Sequence, residues 1–445
     1  MRYIPHTDDE IRDMLAAVGQ PGIGALFETI PEKLRWTGPL EVPAALGELE
    51  VERLLEGLAR SNEHAAATPW FLGAGTYAHF IPSAIDALVS RAELTTSYTP
   101  YQAEISQGTL QTIFEWQTMI CALTGMEVAN ASMYDGASAT AEAALMAMRI
   151  TRKSRIAVAA GVHPHTRQVL ATYLGGLDVE IETLPVGEDG RCQIPALRDD
   201  TACLILQQPS FLGTLEDLGE AAAAARAAGA LLVTTVGEAL SLALLRPPGD
   251  WGADIVCGEA QSFGVPMSFG GPHLGFLTTR SKFMRQMPGR LVGQTQDGAG
   301  QRGFVLTLST REQHIRRERA TSNICTNQGL CLTMATIYLA LMGRSGLREV
   351  ALQNLAKAEY AKARVRESAA LELAHEGPTF NEFTVRVPDD GAAALARARE
   401  AGLVGGLDLA AHHPELGPAV LVCITELARR EEIDRLVQAL GGNAS

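Results

Sequence analysis

The chain has 445 residues, of which 47% are hydrophobic and 20% charged, the composition of a folded protein with roughly two to three domains. Its formal net charge of −14 argues against a nucleic-acid partner, because phosphate binding needs clustered Lys and Arg. No apolar signal core opens the chain, and no run reaches the roughly 18 apolar residues of a membrane span, so we expect a cytoplasmic protein. The seven cysteines form no C-x-x-C or Cys/His cluster, which argues against a metal site.

The chain begins with a capping-box pattern, Thr7-Asp8-Asp9-Glu10, which predicts a helix over residues 10–18. A short helical arm follows, and we assign residues 1–50 to it. Residues 51–315 alternate helix-period segments with short apolar runs, which predicts a large α/β domain with a mostly parallel sheet. The predicted strands cover residues 155–160, 179–184, 202–207, 230–235, 253–257 and 275–279.

The last part of the chain has a different pattern. Helices are predicted over residues 329–343 and on to 367, followed by a strand over 382–387 and a helix over 391–401. A strand over 419–424 precedes a capped final helix. We therefore assign residues 316–445 to a small C-terminal α+β domain.

A glycine-containing loop over residues 134–140, here called the anion loop, precedes a predicted helix over residues 141–148. Backbone amides at a helix N-terminus bind anions, so Asp135, Gly136, Ser138 and Thr140 are candidates for a phosphate site. The carboxylate of Asp135 and that of Glu142 would oppose a phosphate there. An ordinary helix cap without a ligand explains the same residues, and both interpretations stay open.

The loop over residues 258–272, after a buried strand, resembles the cofactor loop of fold type I pyridoxal-phosphate (PLP) enzymes. Gln261 stands where those enzymes place the lysine that binds the cofactor, and an amide cannot form an imine. Val236 stands where they place the aspartate that pairs with the pyridinium nitrogen. Glu238 is a less direct substitute for that aspartate. The resemblance implies a fold type I-like PLP-dependent transferase fold whose own cofactor site is degenerate.

Other residues could still serve a cofactor. His163 and His165 follow a predicted strand, where they could stack on a ring or line a pocket. Among only five lysines, Lys282 alone follows a strand of the large domain closely enough to be a rival cofactor lysine, although its context favours a surface helix. No G-x-G-x-x-G fingerprint supports a nicotinamide enzyme.

Five long motifs carry a more specific resemblance. They are FLGAGTY (residues 71–77), YTPYQAEISQG (98–108), NASMYDG (130–136), QSFGVPMSFGGP (261–272) and REQHIRRERATSNICT (311–326). On these motifs the chain resembles the glycine cleavage P-protein family, and within it subunit 1, the alpha chain, of the two-chain form. The resemblance extends over nearly the whole chain.

The resemblance implies a division of labour between two subunits. A beta chain of the same fold would carry the PLP lysine, and Gln261 would be the counterpart of that lysine. The implied reaction is decarboxylation of glycine with transfer of the aminomethyl group to the lipoyl group of H-protein. The alpha chain would hold no covalent cofactor and no catalytic residue of its own, and it would complete the site across the interface of an alpha2beta2 assembly.

We expect the residues that line the site across that interface to come from two polar segments. The candidates are Tyr98, Tyr101, Glu104, Ser106 and Gln107 from the first segment, and Arg319, Thr321, Ser322 and Asn323 from the second. Capping of the following helix is an alternative role for Ser106 and Gln107, and a solvated helix face is an alternative for the arginines. Two rival functions stay open, a self-sufficient PLP-dependent lyase or aminotransferase and a purely structural scaffold subunit.

Overall fold

The structure is a computed structural model that describes residues 5–36, 38–324 and 326–442. Contacts divide the chain into two compact units, residues 1–63 and residues 64–445. The three-domain division predicted from the sequence stays a prediction, and a helix over Glu48–Ala59 spans its first boundary. Cys325, one of the seven cysteines, lies outside the described residues.

The described residues form α-helices of very different lengths, and short 3-10 helices occur elsewhere in the chain. The α-helices are α1 (Asp8–Ala17), α2 (Glu48–Ala59), α3 (Ser83–Val89), α4 (Ala92–Thr95), α5 (Gln107–Thr124), α6 (Gly136–Thr151), α7 (Pro164–Leu174), α8 (Leu218–Ala227), α9 (Gln313–Arg316), α10 (Gly329–Glu367), α11 (Gly391–Glu400) and α12 (Arg430–Gly441). The predicted capping box closes the start of α1, where Thr7 N donates to Glu10 Oε2 at 2.7 Å and Glu10 N donates to Thr7 Oγ1 at 3.3 Å.

A seven-stranded sheet forms the centre of the second unit, with strand order β1-β7-β6-β5-β4-β2-β3. The strands of the whole described chain are β1 (Val128–Ala129), β2 (Arg155–Ala159), β3 (Glu180–Leu184), β4 (Thr201–Gln207), β5 (Leu231–Val236), β6 (Ile255–Glu259), β7 (Gly275–Thr279), β8 (Leu291–Gln296), β9 (Arg302–Thr307), β10 (Glu372–Leu373), β11 (Glu382–Arg386), β12 (Leu407–Asp408) and β13 (Ala419–Cys423). Strands β3, β2, β4, β5 and β6 run parallel, and β7 pairs antiparallel with both β6 and β1. The parallel run explains the near-continuous apolar character of these strands.

The predicted strands all exist, but β6 continues further than the apolar pattern indicates. The pattern ends at Cys257, whereas the hydrogen-bonded ladder continues to Glu259, which pairs with Gly275 of β7. A charged residue at the end of an apolar strand hides the true strand end, because pattern analysis follows side chains and not backbone pairing. The shift matters for function, since Glu259 is the last residue of the strand that leads to Gln261.

Helix α6 packs directly on the sheet, in contact with β4, β5, β6 and β7. Its buried face is rich in alanine, including Ala139, Ala143, Ala144 and Ala147, none of which is exposed. Small side chains let the helix axis lie close to the strands, so the backbone at its N-terminus reaches the ends of β5 and β6. The sequence predicts this helix with a later start, because its first turn is also the anion loop.

The C-terminal part has an antiparallel sheet of order β10-β11-β13-β12, which packs with α11, α12 and the second half of α10. A two-stranded hairpin of β8 and β9, which the sequence analysis did not predict, lies between the two larger sheets in chain order. By length and composition alone, α10 could cross a membrane. It bends at Gly343 (φ 58°), and Cys331, Leu332 and Tyr338 of its first half lie in the core, so we interpret it as a core helix.

Candidate functional site

A cavity of about 420 Å³ opens at the carboxyl ends of three neighbouring parallel strands, and we call it the strand-end cavity. Gln207, Val236 and Glu259, the last residues of β4, β5 and β6, all line it. Its walls also include Asp135, Gly136, His163, His165 and His273. Open α/β sheets bind ligands at this edge, so the cavity occupies the ordinary position of a ligand site in such a fold.

Two of the four candidate residues of the anion loop, Asp135 and Gly136, line the cavity beside Tyr134 and Ala137, whereas the other two, Ser138 and Thr140, do not. Asp135 caps α6, with its Oδ1 accepting from Ser138 N at 2.7 Å while Ser138 Oγ accepts from Asp135 N at 3.3 Å. Thr140 is fully buried, where its hydroxyl donates to Gly136 O at 2.8 Å and lies 2.9 Å from the hydroxyl of Thr235. Asp135 and Gly136 therefore face the cavity, whereas Ser138 and Thr140 hold the helix in place.

Glu259 places a second carboxylate at the same helix N-terminus. Its Oε2 accepts from Gly136 N at 3.0 Å, and its Oε1 accepts from Gln261 N at 3.1 Å and Leu274 N at 2.9 Å. The Nδ1 of His273 lies 3.2 Å from Oε2, and this hydrogen bond raises the pKa of His273. A Cβ at Gly136 would lie 2.9 Å from the backbone nitrogen of Glu259, so glycine permits the close approach.

Gln261 is 3% exposed, and its side-chain amide is fully used inside the protein. Its Oε1 accepts from Tyr77 N at 2.9 Å, and its Nε2 donates to Tyr77 O at 3.1 Å and to Val265 O at 2.7 Å. The amide thus pairs with the Tyr77 backbone as one strand pairs with another, and it also closes its own loop through Val265. A glutamine has the one acceptor and two donors that this arrangement needs, whereas lysine lacks the acceptor.

Val236 lies at the end of β5 and is buried beside the cavity, and no charge can arise from it. Glu238, two residues later, is engaged elsewhere. Its Oε2 lies 2.9 Å from His79 Nε2, and the other nitrogen of His79 lies 2.8 Å from Glu426 Oε2. Burial lowers the pKa of His79, but the attraction and hydrogen bonds of the two carboxylates outweigh burial and raise it to about 10, so the ring is an imidazolium.

A second buried carboxyl, Glu382 of β11, lies beside this ion cluster. Its Oε1 accepts from Ala74 N at 2.6 Å, and its Oε2 accepts from the Tyr77 hydroxyl at 2.8 Å. Burial raises the pKa of Glu382 to about 7, against the two hydrogen bonds, which lower it. Residues 74–79 are therefore held on one side by Gln261 and on the other by carboxyl groups from the C-terminal part.

His163 and His165 both line the strand-end cavity. Burial lowers the pKa of His163 to about 4, so its ring is neutral. Its Nε2 lies 2.9 Å from Ala74 O and therefore donates, which leaves Nδ1 to accept from His165 N at 3.1 Å. The tautomer is thus fixed, and the ring offers the cavity an uncharged aromatic face.

None of the five lysines lines the strand-end cavity in the part of the chain that the structure describes. Lys282 is exposed in a short 3-10 helix over Ser281–Gln286, with its ammonium 4.6 Å from the centre of the Phe283 ring. That position supports the surface-helix interpretation of Lys282 over a cofactor role.

The first group of predicted lining residues lies outside the strand-end cavity. Tyr98 is 82% exposed, and Glu104 is also exposed. Ser106 is the N-cap of α5, although no hydrogen bond from its side chain caps the helix. Gln107 exchanges two hydrogen bonds of 2.9 Å with the Phe304 backbone, which attaches α5 to the β8-β9 hairpin.

The second group follows α9. The Arg319 side chain is 85% exposed, with the neighbouring Glu318 carboxylate 3.9 Å from it. Thr321 and Ser322 are half-buried and Asn323 is exposed, and Ser322 Oγ accepts from Ile324 N at 3.1 Å. The role of these residues in a site shared with another chain stays a prediction.

The buried Arg290, which the sequence analysis missed, joins Tyr101 of the first group to Glu312 and Thr326, which lie on either side of the second group in sequence. Its guanidinium donates to the Tyr101 hydroxyl at 2.9 Å and to Thr326 Oγ1 at 3.2 Å, and its Nε lies 3.5 Å from Glu312 Oε2. The Tyr101 ring also packs edge-on against His314, with ring centres 5.5 Å apart. The structure therefore brings together segments that are about two hundred residues apart in sequence.

Sequence analysis also missed Glu259, His79 and Glu382. For Glu259 a signal existed, because a carboxylate two residues before Gln261 ends an otherwise apolar strand. No local sequence signal pointed to His79 or Glu382, since the partners that bury them come from distant parts of the chain.

Comparison with known proteins gives consistent results over the whole length. Residues 1–440 match the family described as glycine cleavage system P-protein. The chain is 49% identical over 445 residues to "Probable glycine dehydrogenase (decarboxylating) subunit 1" of Rhodospirillum centenum, with 99% of each chain covered. It is 51% identical over 449 residues to the protein of the same name in Anaeromyxobacter dehalogenans, again with 99% of each covered.

Solved structures agree. A crystal structure of glycine decarboxylase (P-protein) of the glycine cleavage system, in inhibitor-bound form, has a TM-score of 0.91 and 44% identity, with 99% of each chain covered. Glutamate decarboxylase of Lactobacillus brevis has a TM-score of 0.67 at 13% identity, with 94% of this chain and 98% of that chain covered, a likeness of fold alone. The fold predicted from the sequence is confirmed.

Proposed function

Because the chain belongs to the glycine cleavage system P-protein family, we propose that it is the alpha chain, subunit 1, of a two-chain glycine dehydrogenase (decarboxylating). With a beta chain, it takes part in the decarboxylation of glycine and in the transfer of the aminomethyl group to the lipoyl group of H-protein. We further propose that the enzyme is a cytoplasmic assembly of two alpha and two beta chains.

The beta chain carries PLP in this proposal, and PLP supplies the electron sink for the electrons left when carbon dioxide departs. One observation carries this division of labour: the amide of Gln261, at the position of the cofactor lysine, is saturated by Tyr77 and Val265. An amide nitrogen cannot form the covalent link. Val236 at the end of β5 offers no carboxylate to a pyridinium nitrogen, which supports the same conclusion.

This chain contributes exposed polar and apolar surface to the shared enzyme. Tyr98 and Arg319 can reach a second protein because neither is covered by its own chain. Helix α2 of the first unit exposes Val51, Leu54 and Leu58 on one face, a pattern that supports burial against a partner. Within the shared site we assign this chain binding and orienting roles and no covalent step.

The test measures glycine-dependent exchange of carbon dioxide together with the visible spectrum. The purified chain is assayed alone, and then with the beta chain, PLP and lipoylated H-protein. We expect neither exchange nor a cofactor band from the chain alone and both from the mixture. Exchange and a band from the isolated chain would overturn the proposal and return attention to Lys282.

A mixture assembled from the beta chain and an alpha chain with substituted exposed residues separates a working subunit from a scaffold. Tyr98→Phe and Arg319→Ala together should lower the exchange rate. Unchanged exchange in that mixture would favour a purely structural role.

A further inference from the structure

The N-terminus of α6 has the two properties of an anion site, and both are already used by the protein. Helix α6 is 16 residues long, so its dipole and its first amides attract negative charge. Of its first three N–H groups, that of Gly136 donates to Glu259 and that of Ser138 donates to Asp135. Glu259 is 7% exposed, and its carboxylate receives three backbone N–H groups and faces His273.

Among the described residues that line the strand-end cavity, the only side chains that could carry a positive charge are those of His163, His165 and His273. Among its described lining residues none is Lys or Arg, and His273 is already paired with Glu259. Burial keeps His163 neutral, and hydrogen bonds occupy both of its ring nitrogens. A phosphate group at the helix would lie beside two carboxylates, so the residues present do not fit PLP even as a noncovalent ligand.

We propose that Glu259 is a built-in anion that replaces a ligand phosphate at the N-terminus of α6 and makes the strand-end cavity reject phosphate-bearing ligands. The carboxylate comes from the strand that leads to Gln261, so it enters from inside the protein while the mouth of the cavity stays open. Loss of the lysine and loss of phosphate binding are then separate properties, carried by two different residues.

The inference goes beyond the proposed function, because it concerns this chain alone. Glycine decarboxylation in the assembled enzyme plays no part in the measurement. Failure of the inference would leave the subunit assignment untouched, and failure of the subunit assignment would leave this measurement valid.

The test is equilibrium dialysis of the full-length chain with 4′-deoxypyridoxine 5′-phosphate, which lacks the aldehyde and so cannot react with surface lysines. Deoxypyridoxine without the phosphate is the matched ligand, and inorganic phosphate is the competitor. We expect no saturable binding of the phosphorylated probe to the wild type. Glu259→Gln should bind it at least about tenfold more tightly, with competition by inorganic phosphate and no gain for the unphosphorylated probe.

Asp135→Asn is the matched control, because it removes one negative charge from the same helix N-terminus and keeps a side chain that can cap α6. Its affinity for the phosphorylated probe should rise clearly less than that of Glu259→Gln, since Glu259 still fills the site. An equal gain in the two variants would mean that general charge, and not Glu259, excludes the phosphate, and would overturn the proposal.

Two further results would also overturn it. One is saturable binding of the phosphorylated probe by the wild type that inorganic phosphate displaces, and this can be seen whether or not the variant folds. The other is a folded Glu259→Gln that binds no better than the wild type. Should Glu259→Gln not fold, Glu259→Ala empties the same position and carries the same expectations.

Discussion

The polar residues around the strand-end cavity differ in where their partners are from Tyr98 and Arg319, the most exposed candidates of the segments at residues 98–107 and 311–324. Around the cavity, Gln261, Glu259 and His79 find their partners within the chain. In the exposed segments, Tyr98 and Arg319 extend into solvent. The difference teaches that polar residues at the ligand-binding edge of such a sheet can serve the stability of the chain, while other polar residues stay available on a surface that a partner can cover. Substitutions in the first region should cost stability, and those in the second only activity.

The largest expected effect is that of His79→Leu. This change leaves Glu238 and Glu426 buried without their shared cation, and breaking a buried ion cluster costs about 3–5 kcal/mol in the free energy of unfolding. Urea denaturation measures the loss. The control is His64→Leu at an exposed histidine, which should change stability little. Equal losses in the free energy of unfolding at the two positions would show that the ion cluster does not stabilise the core.

Gln261→Ala comes next. It leaves the Tyr77 N–H and two carbonyl groups buried without partners, at a cost of about 3 kcal/mol. Denaturant unfolding measures this, with Gln353→Ala on the exposed face of α10 as the control. A fall in the free energy of unfolding smaller than that of Gln353→Ala would contradict the role of the Gln261 amide as a structural bridge.

The pH dependence of stability tests Glu382. Its pKa rises from an ordinary 4.5 to about 7 on folding, so the folded chain binds the proton more tightly. The resulting stabilisation is complete below the unfolded pKa and is lost as pH rises through the folded one. Between about pH 5 and pH 8, the wild type should lose up to about 3 kcal/mol more than Glu382→Gln, which cannot titrate.

The exposed Glu372, also of the small sheet, provides the control for this measurement. Glu372→Gln should follow the wild-type pH profile. Superposable profiles for the wild type and Glu382→Gln would show that the buried carboxyl does not titrate in this range.

The smallest effects are expected in the exposed segments, and they concern rate only. In the reconstituted enzyme, Arg319→Ala should lower glycine decarboxylation about tenfold and Tyr98→Phe about two- to fivefold, the loss of one charged and one neutral hydrogen bond. Unfolding midpoints and assembly should stay unchanged. Arg198→Ala and Tyr173→Phe, on other parts of the surface, are the matched controls. Rates equal to the controls would exclude these residues from the shared site.

The sequence predicts the layers of the fold well, because burial on two faces leaves a clear apolar pattern in strands such as β4 and β5. It also predicts the loop that carries Gln261, since a strand followed by glycines and a polar residue has a distinctive pattern. It does not predict the hairpin of β8 and β9, whose half-exposed residues give a weak signal. The hydrogen bonds of His79 and Arg290 depend on distant segments, and no local pattern reports them.

The bridge between the Gln261 amide and the Tyr77 backbone also limits how this protein can evolve. A lysine at position 261 would leave the Tyr77 N–H without its acceptor, and Glu259 and Val236 would still lie nearby. Each single substitution toward a lysine site would lower the stability of the chain without enabling it to bind the cofactor covalently. Natural selection would therefore not favour the separate substitutions. Under the proposed division of labour, a lineage with this arrangement would therefore keep its need for a second subunit that supplies the cofactor lysine.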